Sequence, residues 1–455
     1  MHREHVYPTI KEYLAGSDDV GLLAYCEELH GADLASGLGQ ATPEEAAKVL
    51  GLLEPAVAAE VLSHFSPEFQ LEVGQEIPDH GLAEIISQMS ADDRVDLIKN
   101  IDEERQERLL HMMAKSERED ILRLGSYEEG TAGSLITSEY ASLPADITVR
   151  EALGRLRLEA PDKETIYYIY VVDHQHRLLG LISLRELILA RPDFPIEQLM
   201  HTDPVRAKVD EDQEEVARKM RKYDLLAIPV TNGNETLVGI ITHDDIHDVV
   251  AGEATEDFHR FGGLSHREPD FNINIGEAGF LVMLRKRLPW LLILVFMNIL
   301  SGAGIAYYEA TIEAMVALVF FLPLLIASGG NAGSQSATLM IRALAVGDVK
   351  IKDWFRLLGK EVSVALAIGI AMGLAVSLIG LFRSGPEVAA VVTMTMVLTV
   401  LFGSLVGMSL PFLLTRLRMD PATASAPLVT SIADIGGVLI YFSIATWYLH
   451  DLIAA

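Results

Sequence analysis

Three kinds of hydrophobic pattern follow one another along the chain. Up to about residue 130 apolar side chains return at helical spacing, as in Ala46, Val49, Leu50 and Leu53, or Ile85, Ile86 and Met89. Polar starts punctuate them: Thr42-Pro43-Glu44-Glu45, Ser66-Pro67-Glu68, Ser90-Ala91-Asp92-Asp93 and Asp102-Glu103-Glu104. Each reads as an N-cap followed by first-turn acids. The starts recur every roughly 12 to 24 residues, which predicts short helices stacked in a right-handed or irregular solenoid. From about 135 to 257 short apolar strands alternate with turns and helices. Five long apolar runs then follow, at about 288–308, 312–341, 360–382, 388–414 and 423–449. A helix needs roughly 20 mostly apolar residues to cross a bilayer, and these runs qualify.

The middle region is an internal repeat. Ile169–Leu187 aligns with Ile228–Ile246 at a fixed offset of 59, placing Gly180 on Gly239, Ser183 on Thr242, Glu186 on Asp245 and Leu187 on Ile246. Each copy has a strand, a turn, a second strand, and then a hydroxyl and an acid opening a helix. Earlier in each copy a polar start leads into another helix, at Ile147–Ala152 and Gln213–Ala217. The pattern resembles a tandem pair of CBS domains, α/β modules that sense ligands. That resemblance implies nucleotide contact at Thr242 and Asp245, with ATP as a candidate ligand; the first copy departs from it by carrying Glu186 in place of Asp.

Charge separates the two halves. From Leu284 onward 11 bases face 9 acids, whereas the preceding residues hold 25 bases against 55 acids. So acidic a half repels nucleic acid and attracts cations, although most of these carboxylates also fit an ordinary solvated surface. Cys26 is the only cysteine, which excludes an intrachain disulfide and any Cys-based metal cluster. The N-terminal stretch lacks the apolar core of a signal peptide, so the acidic half is expected in the cytoplasm. The connections between apolar runs agree: one side holds ten bases and the other only Arg383. The positive-inside rule places the basic side in the cytoplasm and the C-terminus outside an inner, or cell, membrane.

Candidate chemistry concentrates at four places. The last run carries a carboxylate, Asp434, among small and hydroxyl residues including Thr430, Ser431, Gly436 and Gly437. A charge at that depth costs roughly 2.5–3.5 kcal/mol on insertion scales, so it faces a cation pathway or is a protonated, hydrogen-bonded structural carboxyl. The second run, around Pro323–Gln335, contains Gly329, Gly330, Asn331 and Gly333, which predicts a break lining a cavity or a close-packed glycine seam. After the repeat, Asp244, Asp245, Asp248, Glu253, Glu256 and Asp257 crowd one helix, with Asp245, Asp248, Glu253 and Glu256 on one broad side. They are either solvated or neutralised by a hard, oxygen-seeking cation such as Mg²⁺ or Ca²⁺. Asp92 and Asp96 share a helix face at i,i+4, free to hold a cation with something opposite.

Taken in order, an acidic helical domain, a CBS pair, a charged connecting helix and five spans closely resemble the MgtE family of magnesium channels. The most specific stretches are PLLIASGGNAGSQ and DPATASAPLVTSIAD. The resemblance implies a multidomain fold: an all-α acidic N-domain (1–132), α/β CBS domains (133–200 and 201–257), a connecting plug helix (258–283) and an all-α five-span pore domain (284–455). It implies a membrane-embedded homodimer with Asp434 as the selectivity carboxylate and Gly330, Asn331 and Thr430 lining the pore. It further implies Mg²⁺ sensing by Asp92 and Asp96 against Asp212, Glu214, Asp224, Asp248, Glu253, Glu256 and Asp257, with Asp245 nearby. Rival readings are a carrier of Co²⁺ or Mn²⁺ and a membrane-anchored nucleotide sensor. The chain shows no Ser/His/Asp order, P-loop or metal-hydrolase motif, so no enzyme is expected.

Overall fold

The computed structural model describes residues 6–264 and 280–449, which divide into two units, Met1–Val250 and Ala251–Ala455. The first unit opens with ten short helices: α1 (Val6–Gly16), α2 (Asp19–Glu27), α3 (Gly31–Leu38), α4 (Pro43–Leu50), α5 (Pro55–Ser63), α6 (Pro67–Glu76), α7 (Asp79–Ser87), α8 (Ala91–Asn100), α9 (Glu103–Met112) and α10 (Lys115–Leu124). From α3 onward each packs on the helix two along, so apolar faces stack into a solenoid. The polar starts do much of the punctuation. Thr42 and Glu45 form a reciprocal capping box at α4, with Glu45 N donating to Thr42 Oγ1 at 3.3 Å and Thr42 N to Glu45 Oε2 at 3.1 Å. Asp102 accepts from Arg105 N at 3.0 Å at α9. Ser90 makes no such bond at α8.

Two small sheets follow. The first contains β1 (Tyr140–Pro144), β2 (Thr165–Val172), β3 (Leu178–Ser183) and β4 (His201–Thr202), with helices α11 (Val149–Glu159), α12 (Leu184–Leu189) and α13 (Ile196–Leu199) between them. The second contains β5 (Ala207–Lys208), β6 (Ala227–Thr231) and β7 (Leu237–Thr242), with α14 (Gln213–Tyr223) and α15 (His243–Phe261). The sequence repeat survives as backbone register: Val171 pairs Gly180 across β2 and β3, as Val230 pairs Gly239 across β6 and β7. Even the bulge recurs, between Val171 and Val172 in one copy and Val230 and Thr231 in the other.

In the second unit five helices are long and apolar enough to cross a membrane. They are α16 (Phe280–Tyr307), α18 (Ala317–Ala345), α19 (Trp354–Ser384, continuous with the 3-10 turn Ile351–Asp353), α20 (Pro386–Arg416) and α21 (Ala426–Tyr448), with a short α17 (Glu309–Ala314) between the first two. Helix α20 is central, packing against α18, α19 and α21. The break expected in the second run is absent: α18 is continuous through Pro323 and all three glycines. Its glycines serve approach rather than bending. A Cβ on Gly403 would run into Gly329 O, one on Gly407 into Gly333 O, and one on Gly333 would stand 2.8 Å from Gly403 O. Backbone meets backbone along a Gly-x-x-x-Gly stripe on each helix. Of the connecting helix expected at 258–283, the first residues extend α15 and the last belong to α16, while 265–279 lie outside the described residues.

Candidate ion-binding sites

In the second unit Gly330, Thr430 and Asp434 come together. Thr430 and Asp434 are one turn apart on α21, and Gly330 of α18 lies against them. A Cβ built on Gly330 would stand 3.1 Å from Thr430 Cγ2 and 3.5 Å from Asp434 Oδ1. The hydroxyls of Thr430 and Ser431 both donate to Pro427 O at 2.9 Å, which leaves their lone pairs available. Asp434 is half-buried, and among the described residues no hydrogen bond or ion pair reaches it. Asn331 follows Gly330 on α18 with its side chain exposed. The arrangement is an uncompensated carboxylate inside an apolar bundle, lined on one side by a residue with no side chain.

Below these helices in the sequence, the second unit also holds the end of α15. Arg260 pairs there with both Glu256, one turn back, and Asp420. Asp420 also caps the turn before α21, accepting from Ala422 N at 2.7 Å. Burial raises the Asp257 carboxyl above its ordinary range, with Glu253 adding to the rise and Arg260 and Arg342 opposing it.

The first unit gathers a second set of acids, only part of it foreseen. Carboxylate oxygens of Glu164, Asp244 and Asp245 all lie within 4.8 Å of one another. Glu164 leads into β2 of the first sheet, and Asp244 and Asp245 follow β7 of the second and open α15, so tertiary packing of the two repeats rather than sequence proximity joins them. Asp245 Oδ2 accepts from Thr242 Oγ1 at 2.5 Å and Thr242 N at 3.2 Å, the same hydroxyl-acid cap that Ser183 and Glu186 form at α12. The residues expected to meet a nucleotide therefore bond to each other here.

Helix α8 contributes the other wall. Asp92 Oδ1 is buried and has no hydrogen-bond partner. Asp93 is pushed up to about 6 by burial and then by the charge of Asp92, with Asp248 and Asp244 adding smaller pushes. Glu164 keeps more than a third of its surface in solvent while its carboxylate faces protein; burial pushes it up to about 7, and Asp92 and Asp244 add to this. Asp96 is exposed as a whole residue, but its carboxyl rises for the same two reasons, burial first and Asp92 second. Burial and then Asp92 also raise Asp245. Asp248 lines an open hollow with His243, Asp244 and His247.

One cation is built in at this edge. Arg94 is buried at 6% exposure; its Nε donates to Ile86 O at 3.1 Å, and its Nη2 to Met89 O at 2.6 Å and Glu139 Oε1 at 3.2 Å. Sequence reading passed over Glu164, Asp93, Glu139 and Arg94, and counted Asp244 only among the crowded acids of the helix after the repeat. Three expected ligands have local structural roles as well. Asp212 caps α14, accepting from Glu214 N at 2.9 Å, Glu214 pairs with Arg218 at 3.2 Å, and Asp224 closes α14 in a left-handed conformation at φ 51°. Glu253, Glu256 and Asp257 belong to the second unit.

Comparison with known proteins bears on all three regions. Residues 29–130 match the MgtE intracellular N domain, 132–193 and 196–252 the CBS domain, and 322–444 the MgtE divalent cation transporter family. The chain is 41% identical over 450 residues, 98% of its length and 99% of the relative's, to the magnesium transporter MgtE of Thermus thermophilus. It is 37% identical over 337 residues, 74% of its length and 73% of the relative's, to the magnesium transporter MgtE of Bacillus subtilis. Among solved structures it is similar to the cytosolic domain of the Mg²⁺ channel MgtE in complex with ATP, at TM-score 0.52 and 41% identity over 53% of this chain and 99% of that one.

Proposed function

Since this chain belongs to the MgtE family of divalent cation transporters, we propose that it passes Mg²⁺ through a membrane pore beside Asp434 and that its cytoplasmic acids shut the pore when internal Mg²⁺ is high. The observation that carries the reading is Asp434 itself: a half-buried carboxylate on an apolar helix, without an internal partner, opposite a bare glycine. Mg²⁺ dehydrates reluctantly, so such a site binds it through retained water, with Thr430 and Asn331 oxygens supporting the shell. A homodimer supplies a second Asp434 across its two-fold axis, and the basic helix ends face the cytoplasm.

The cluster of Asp92, Asp93, Asp96, Glu164, Asp244, Asp245 and Asp248 repels itself when empty and closes around cations when filled. The ion therefore favours one of two arrangements, which is all a switch requires. Asp212, Glu214, Asp224, Glu253, Glu256 and Asp257 supply further acid for additional ions. Thr242 and Asp245 offer a nucleotide contact, and the relative solved with ATP makes ATP the ligand to test there.

Currents from reconstituted protein, with Mg²⁺, Mn²⁺ and Co²⁺ varied on each side, test the reading. Mg²⁺ current that stops when Mg²⁺ is raised on the acidic side is expected. A bilayer that conducts none of the three ions refutes it. For the switch, Asp248→Ala with Glu256→Ala leaves a channel that stays open at high internal Mg²⁺; normal closure in that variant would falsify the sensor assignment.

A further inference from the structure

We propose that the start of α19, with the turn before it, is a binding surface for anionic phospholipid headgroups. At 100° per residue Lys352, Arg356 and Lys360 fall within about 80° of one another, and Ile351 and Phe355 form a stripe beside them. Between the stripes lies Gly359, where an added Cβ would meet nothing within 4 Å. Ile351 is 46% exposed and Phe355 79%, the latter edge-on to Trp354 with ring centroids 4.7 Å apart. All three bases are exposed. Arg356 has only Asp353 near it, at 3.6 Å, and that acid also accepts from Lys350 N at 3.0 Å. Lys352 and Lys360 have no acid partner among the described residues.

Open apolar rings and unneutralised bases side by side are a poor surface for water. They suit the level where a bilayer's acyl chains give way to phosphates: rings settle among the headgroups and long basic stems reach the charge. An acidic protein would answer the bases but leave Phe355 in water. The surface also runs without interruption into a 31-residue apolar helix, so lipid is already beside it. This rests on α19 spanning the membrane and is independent of the ion carried.

The chain's three tryptophans, Trp290, Trp354 and Trp447, allow a direct test. With Trp290→Phe and Trp447→Phe, the full-length protein reports from Trp354 alone in vesicles containing brominated phosphatidylglycerol or brominated phosphatidylcholine. Phosphatidylglycerol is expected to quench at a mole fraction about fivefold lower, the preference one base confers near an anionic surface. Lys352→Gln with Arg356→Gln and Lys360→Gln should remove the preference, and Lys352→Arg with Lys360→Arg should keep it. Equal quenching by both lipids in the parent overturns the proposal while leaving the span intact. Quenching by neither overturns the span as well.

Discussion

Gly330 on α18 faces Asp434 on α21 so closely that a methyl group on the glycine would stand 3.5 Å from the carboxylate. In the proposed pore, space for an ion and its water depends on what Gly330 lacks as much as on what Asp434 carries. Asp434→Ala is expected to cut Mg²⁺ flux by about a hundredfold, the factor that ~3 kcal/mol of contact to a charged group represents. Gly330→Val, which keeps the charge and fills the space, should also reduce flux severely. Flux assays beside size-exclusion profiles distinguish these losses from misfolding. Unchanged uptake in Asp434→Ala would remove this carboxylate from the pathway.

The seam between α18 and α20 leads to a stability prediction. Any side chain at Gly403 or Gly407 must push two backbones apart. Gly407→Leu is expected to destabilise the membrane unit by about 1–3 kcal/mol or more, as overpacking does. Thermal unfolding in detergent checks this, and an unshifted midpoint would mean that the helices are not held this close.

Arg94 predicts a different kind of loss. Its guanidinium answers Glu139 and the carbonyls of Ile86 and Met89 from inside the protein. Arg94→Met strands these groups and should cost about 3–5 kcal/mol, the range for breaking a buried ion pair. Adding Glu139→Gln should recover part of that loss. Chemical denaturation of the single and double variants decides; additive losses would show that the two residues act separately.

If the acid cluster holds cations as proposed, protons compete with them there. Asp93 and Glu164 are held up to about 6 and about 7 in the folded chain, above the ordinary carboxylate range of the unfolded one. Without divalent ions the folded state therefore binds more protons, and its stability falls as pH rises from about 4 to about 7. Mg²⁺ affinity should move oppositely, strengthening across about pH 6 to 7 as the bound protons leave. Melting curves over pH with and without Mg²⁺ provide the test. A stability loss on raising pH that saturating Mg²⁺ fails to offset would count against cation binding here.

Much of this was legible in the residues. The offset between Ile169 and Ile228 carried through to strand register and bulge, because identical local patterns meet identical neighbours. The five spans and the Thr42 and Asp102 caps follow from local rules. Two other features were not local. Gly329 and Gly333 read as a break because sequence cannot show that Gly403 and Gly407 arrive to use the missing side chains. Glu164 has no motif around it; only the packing of one repeat against the other delivers it to Asp244 and Asp245. Asp212 and Asp224 also take on roles that the sequence reading did not give them, as the two caps of α14.

The glycine stripes on α18 and α20 also limit how the bundle can rearrange. Two helices touching main chain to main chain lack the pliable side-chain layer that lets neighbours slide or tilt. They behave as one stiff plate bearing Gly330 on its face. If ions pass Asp434 as proposed, widening or narrowing that route would come from displacing α21 against the plate.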